Sequence, residues 1–209
     1  MEPQFSLPDS ELLVMDTSVV INLNATGSAR EILSALSYRV FVVDVAVNEL
    51  EYGRSKGRND AAMLADLANA GTVTIASLSD LAFPHFESLV VGASAATLDD
   101  GEAATIAYAV DAKACAIIDE RKANRLCSER FPYLKLGCTV DLLSHRNVQQ
   151  ALGLSRLADA LYNALFFARM QVPPQHMNWV VNLIGNERAT ACSCLPQMVR
   201  QNTRNPKNA

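Results

Sequence analysis

The sequence predicts an α/β fold: a central, mainly parallel sheet flanked by helices. Short aliphatic runs recur along the chain, and helical patterns separate them. Half of the 209 residues are hydrophobic while only 6% are aromatic, so small aliphatic side chains fill the core, which suits helices packed on a sheet. Strands that alternate with helices cannot pair as hairpins and instead give a sheet covered on both faces.

The buried-strand patterns are Leu12–Met15, Val40–Val43, Val73–Ala76 and Cys115–Ile118, with a short fifth near Lys135–Cys138. Ala29–Leu36 and Val45–Gly53 read as helices after the first two strands. Asp60–Ala70 and Asp80–Val90 flank the third, and Asp100–Lys113 and Glu120–Arg130 the fourth. In the helix after Asp99, Ala103, Ile106, Ala107 and Val110 recur at i, i+3, i+4 and i+7, a core-facing stripe with Glu102 at its edge.

The character of the chain changes after Ser144. Leu154, Leu157, Leu161, Leu165 and Ala168 form one helical stripe, and Met177, Val180, Val181 and Ile184 a second, with Pro173–Pro174 between them. The organisation expected is a core domain over residues 10–147, a helical extension over 148–186 and a flexible tail over 187–209. The tail carries Arg188, Arg200, Arg204 and Lys207 against a single acid.

Five cysteines, odd in number and without a CxxC pair, point to a reducing, cytoplasmic setting. The first residues lack the basic and apolar regions of a signal peptide, and no apolar run is long enough to span a membrane. The formal net charge of -4 argues against a broad basic face for nucleic acid but not against an acidic metal site.

Acids carry the functional reading. Asp16 and Asp119 directly follow strand patterns, in LLVMDTS and CAIIDER, and the carboxyl ends of parallel strands form the ligand-binding edge of such a sheet. Glu49 in VAVNELEYG and Glu102 in LDDGEAATIAYA lie early in helices that start from that edge. Two carboxylates about 4 Å apart repel by roughly 4 kcal/mol at an effective dielectric near 20, so convergence requires retained protons or a cation. An oxygen-only set suits Mg2+ or Mn2+.

Structural roles stand beside these. Asp16 and Asp119 could each cap the following helix. Asp44, after VFVV, reads as a cap rather than a ligand. Asp99 and Glu102 have capping-box spacing, which would turn Glu102 back on its own helix, leaving Asp99 or Asp100 as the oxygen donor. Glu49 taken alone reads as a solvated helix residue. Arg121, Lys122 and Arg125 form a charged helix face that could meet substrate phosphates. The three histidines are scattered and read as structural or exposed. A phosphatase of the haloacid-dehalogenase kind needs an aspartate two residues after Asp16, where Ser18 stands.

The succession DTSVVINL, VNELEYG, LDDGEAATIAYA and IIDERKANRL, over about Leu12 to Leu143, resembles the PIN-domain family, in the branch whose third motif is LDxGEA. The resemblance implies a PIN-like fold and a Mg2+- or Mn2+-dependent ribonuclease with Asp16, Glu49, Glu102 and Asp119 as catalytic and metal-binding acids. Thr17 and Ser18 fall on the hydroxyl-bearing segment that holds the first acid, and Ser18 joins the three basic residues as a substrate contact. The resemblance also implies an RNA substrate, a homodimer and, for a toxin of the VapC-like kind, an antitoxin partner. A binding module on the same scaffold is the alternative. Glutamate at the third position and the added C-terminal helices depart from the commoner pattern.

Overall fold

The computed structural model describes residues 11–202. Five parallel strands form one sheet: β1 (Leu12–Met15), β2 (Arg39–Val43), β3 (Thr74–Ala76), β4 (Cys115–Ile117) and β5 (Lys135–Gly137). Their spatial order is β3-β2-β1-β4-β5. The chain therefore winds outward from β1 to β3 and resumes on the other side of β1 with β4. This reversal opens a crevice at the carboxyl ends of β1 and β4.

Side chains alternate across the sheet, as the two-residue strand period requires. Leu13 and Met15 join one core cluster and Val14 the other. The first face carries α1 (Thr17–Ala25), α2 (Ala29–Ala35), α3 (Asp44–Arg54) and α4 (Asp60–Asn69). The second carries α5 (Phe83–Val90), α6 (Asp100–Asp111) and α7 (Arg121–Arg130). Both faces are covered, which is why the central strands β1 and β4 are apolar throughout.

One helix, α1, is absent from the sequence-based expectation. Its buried residues include Asn22 and Asn24 beside Val19, Val20 and Leu23, so polar positions break the apolar period on its inner face. Both amides have partners: Asn24 donates to the Asp60 backbone carbonyl at 3.2 Å, and Asn22 reaches the sheet edge.

The C-terminal part corrects three expectations. After α8 (Thr139–Ser144), α9 spans Arg146–Phe167 but is kinked at Gly153, whose φ is +70°. Leu154 starts the second half of α9 and is 69% exposed, so the apolar stripe consists instead of Leu157, Ala160, Leu161, Ala164 and Leu165. Second, the helical extension shares the core of the sheet domain, because Leu157, Leu161, Ala164 and Leu165, with Val180 and Ile184 of α10 (Met177–Ile184), belong to the same cluster as Leu13 and Met15. Third, the segment expected to be a tail continues in α11 (Asn186–Ala191) and α12 (Gln197–Asn202). Ala189, Cys192 and Leu195 are buried in the core, and an apolar residue every third position anchors a stretch whose charges had suggested solvent. Arg204 and Lys207 lie outside the described residues. Among the described residues, no helix is long and apolar enough to cross a membrane.

Ending the chain at Gly185 removes the buried Leu195 together with Ala189 and Cys192. Burial of one leucine side chain contributes about 2 kcal/mol, so the shortened protein is expected to unfold at clearly lower denaturant concentration. An unchanged urea midpoint would return this segment to the status of a tail.

Candidate active site

The Asp16 backbone N–H donates to the Ile117 carbonyl at 3.1 Å, which continues the β1–β4 ladder in which Met15 lies opposite Ile117. Asp16 and Asp119 thus leave neighbouring strands at the same edge, where the strand order reverses. Both are buried.

Asp16 is also the N-cap of α1, so the capping role and the site position coincide. Its Oδ2 accepts from the Ser18 N–H at 3.2 Å and from the Ser18 hydroxyl at 2.7 Å. Ser18, expected also as a substrate contact, has its hydroxyl committed to Asp16. Burial nevertheless lifts the Asp16 carboxyl to about 6, with the nearby charge of Asp99 adding to the rise and the Ser18 bonds opposing it.

Asp119 is held on both oxygens. Oδ1 accepts from the Thr139 N–H at 2.8 Å, and Oδ2 from the Asn22 amide at 2.7 Å and from the Thr139 hydroxyl. Burial raises this carboxyl too, against those hydrogen bonds. Asp119 does not cap α7, since Glu120 occupies the N-cap.

Glu102 lies in the first turn of α6. Asp99 caps that helix by accepting the Glu102 N–H at 2.9 Å, but the reciprocal half of a capping box is not formed. Among the described residues the Glu102 carboxylate accepts no hydrogen bond and pairs with no cation. It is buried, and burial, followed by the charges of Asp99 and Asp16 and then of Glu120, pushes it up to about 8.

Glu49, on α3, is tied into the same edge from the side. It accepts from the Thr17 hydroxyl at 2.6 Å and from the Gly101 N–H at 2.9 Å. It therefore links the first turns of α1 and α6. Gly101 has no side chain for a specific reason: a Cβ there would lie 2.3 Å from Glu49 Oε2.

The four expected acids therefore stand around one crevice, in two different states. Glu102 feels the charges of Asp99, Asp16 and Glu120 and has no donor among the described residues, while Asp16, Asp119 and Glu49 are each bound to donors. Among the described residues, no three of the four bring carboxylate oxygens within 4.8 Å of one another. Among the described residues, no lysine or arginine forms an ion pair with any of them. A set of oxygen donors without a cationic partner, three of them with raised carboxyl pKa values, fits a hard divalent cation and no softer one. Asp44 is not part of it, because its carboxylate accepts from Ser77 at 2.6 Å.

The basic residues separate. Lys122 donates to the Ser94 carbonyl at 2.8 Å, and Arg125 bonds Glu129 at 3.0 Å and the Ala95 carbonyl at 3.3 Å. Both thus fasten α7 to the 3-10 turn Ser94–Ala96 instead of facing the acids. Arg121 is exposed, has no such partner among the described residues, and lines a cavity of about 440 Å³ with Asp119. Asn124, Gln171 and Gln175 line the same cavity. A larger one, about 590 Å³, lies between α2, α4 and α9 and contains none of the acids. Sequence reasoning missed Asn22, Thr139 and Gly101. The only signal for Gly101 and Asn22 was their place inside the quoted third and first motifs, and Thr139 carried none.

A family model described as a PIN domain matches residues 12–185. No curated protein and no solved structure matches the chain.

Two outcomes are expected. A carboxyl whose folded pKa stands above its unfolded value subtracts stability once pH exceeds the unfolded value, so without cation the protein weakens as pH rises from 4.5 through about 8. Glu102→Gln removes that loss: in EDTA the variant has the higher Tm at about pH 8.5, and the difference closes toward about pH 5. Equal Tm values at the alkaline end would show that Glu102 is not a buried, uncompensated acid. Gly101→Ala should leave Tm close to wild type, because only the end of a flexible side chain must move. It should nonetheless weaken Mn2+-induced stabilisation, read by thermal shift, since Glu49 loses its 2.9 Å bond and its position.

Proposed function

Because the chain belongs to the PIN-domain family, whose members are generally nucleases and typically use divalent metals, we propose that it is a Mg2+- or Mn2+-dependent endoribonuclease. The observation that carries the reading is the buried pair Asp16 and Glu102, two carboxyls raised by burial, the second also by the charges of Asp99 and Asp16, with no cationic side chain paired to either among the described residues. Buried carboxylates that serve only the fold are paired or fully hydrogen-bonded, and Glu102 is neither among the described residues. A pair left in this condition is matched by a cation from solution.

Asp16 and Glu102 would hold that ion, with Asp119 and Glu49 supplying further oxygens. When bound, a divalent ion at this edge supplies Lewis-acid chemistry, lowering the pKa of water and stabilising charge on a departing oxygen of a phosphodiester. The chain's own groups do the rest. Ser18 fixes the rotamer of Asp16, Asn22 and Thr139 fix that of Asp119, and Thr17 with the Gly101 N–H fixes Glu49. The exposed guanidinium of Arg121 is placed to meet a phosphate at the mouth of the cavity beside Asp119. The net charge of -4 fits recognition through this cleft better than through a broad basic surface. RNA as the substrate follows the family, and a toxin's role with an antitoxin and a homodimeric state are finer forms of the same reading.

The test is cleavage of a mixed RNA pool in Mn2+ or Mg2+ against EDTA. Asp16→Asn keeps the capping oxygen and should keep the fold while losing about a hundredfold or more of the rate, the scale on which single charge-stabilising groups act. Undiminished cleavage by a folded Asp16→Asn protein would sink the proposal. RNA binding that is insensitive to EDTA, with no cleavage by the wild type, would favour a binding module.

A further inference from the structure

Cys138, Asp141 and His176 form a second group of ligand-type side chains, on the far side of Thr139 from Asp119. Cys138 directly follows β5 and is the N-cap of α8, and Asp141 lies in the first turn of that helix. His176 ends the 3-10 turn Pro174–His176 that leads into α10. One donor atom from each lies within 4.8 Å of the other two, and His176 Nε2 is 3.1 Å from Asp141 Oδ1. Cys138 and His176 are buried. We propose that these three side chains bind a zinc ion, which fastens the C-terminal helices to the sheet edge, with the fourth position open to the neighbouring cavity.

Three observations carry this. The first is the donor set. Sulfur, imidazole nitrogen and one carboxylate oxygen select a borderline ion such as Zn2+ over Mg2+ or Mn2+. Tetrahedral zinc with bonds of about 2.0–2.3 Å spaces its donors by roughly 3.3–3.8 Å, so separations below 4.8 Å need only small side-chain rotations. The second is the identity of residue 138. Cys138 holds the N-cap of α8, a place that serine, threonine, aspartate or asparagine fills better, since sulfur is a weak acceptor. A thiol there is a poor cap and a good zinc ligand. Third, Cys138 and Asp141 line the cavity of about 440 Å³ that also holds Gln171 and Gln175, which leaves room for water or another small ligand as fourth donor. On binding, the Cys138 thiol gives its proton to solvent and the metal–sulfur bond takes its place.

The consequence reaches the acids. Thr139, which orients Asp119 through its N–H and hydroxyl, is the residue next to Cys138. An ion at Cys138 would stiffen the backbone from which Asp119 is held. The zinc site does not rest on the nuclease reading, and its test does not use RNA.

The full-length protein, stripped of metal, is titrated with Co2+ as a spectroscopic stand-in for zinc. The expected result is one equivalent bound with a thiolate-to-cobalt charge-transfer band and intense visible bands of a tetrahedral centre, both erased by added Zn2+. Cys138→Ser keeps a capping oxygen and should lose the charge-transfer band. Its loss of affinity should exceed the roughly 10–100-fold cost of outer-shell changes. Asp16→Asn should keep the band, which separates this site from the acidic one. A folded wild type without a charge-transfer band overturns the proposal. So does a band unaltered in Cys138→Ser, which would assign it to one of the other four cysteines.

Discussion

Burial of carboxylates without counter-charge is the constraint on which the architecture of this protein turns. Asp16 and Glu102 are taken out of water at the point where the strand order reverses, and the charges of Asp99 and Asp16 make Glu102 harder still to ionise. Such an arrangement lowers the stability of the fold at neutral pH, so the rest of the molecule must hold it in place. The extensive core on both faces of the sheet does this. Each strand at the site is apolar throughout, and the register of β1 with β4 places the first and last acids on adjacent strands before any side chain is considered.

Donors then divide the acids by role. Asp119 accepts three hydrogen bonds and Glu49 two, so their directions are determined by the protein. Asp16 has Ser18, and Glu102 has no donor among the described residues. Glu102 is the acid least satisfied by the chain and Asp119 the best, with Asp16 and Glu49, which accept two bonds each, between them. Gly101 is the clearest sign that this order is built in. Its backbone donates to Glu49, and its missing side chain leaves the space that the carboxylate occupies. Alanine would favour the helix and spoil the contact.

Much of this was legible in the sequence because it depends on local pattern. All five strands follow from apolar runs, and Asp16 and Asp119 follow from their place after those runs. What escaped depends on contacts between distant segments. Helix α1 was hidden because Asn22 and Asn24 stand on its inner face, where they answer Asp119 and Asp60 rather than a hydrophobic period. The kink at Gly153 moved Leu154 into solvent, and the burial of Cys192 and Leu195 turned an expected tail into part of the core. Lys122 and Arg125 looked free in the sequence because their partners are carbonyls about thirty residues earlier. His176 looked scattered because Asp141, its partner, is thirty-five positions away and meets it only after α9 has run out and the chain returned.

That return brings the segment before the C-terminal helices to the cavity beside Asp119. Pro173 and Pro174 end any helical continuation and direct the chain across the end of β5, where Gln171 bonds Glu120 at 2.9 Å and His176 meets Asp141. The wall of the cavity beside Asp119 is thus made partly by residues that a minimal sheet-and-helix core would lack. Thr139 stands between two donor sets of different hardness, oxygen on one side and sulfur with nitrogen on the other. A divalent ion with the preferences of magnesium has no reason to enter the second set, nor zinc to prefer the weakly held oxygens of the first. The two chemistries can therefore sit on either side of Thr139, the second steadying the backbone and the first facing the crevice.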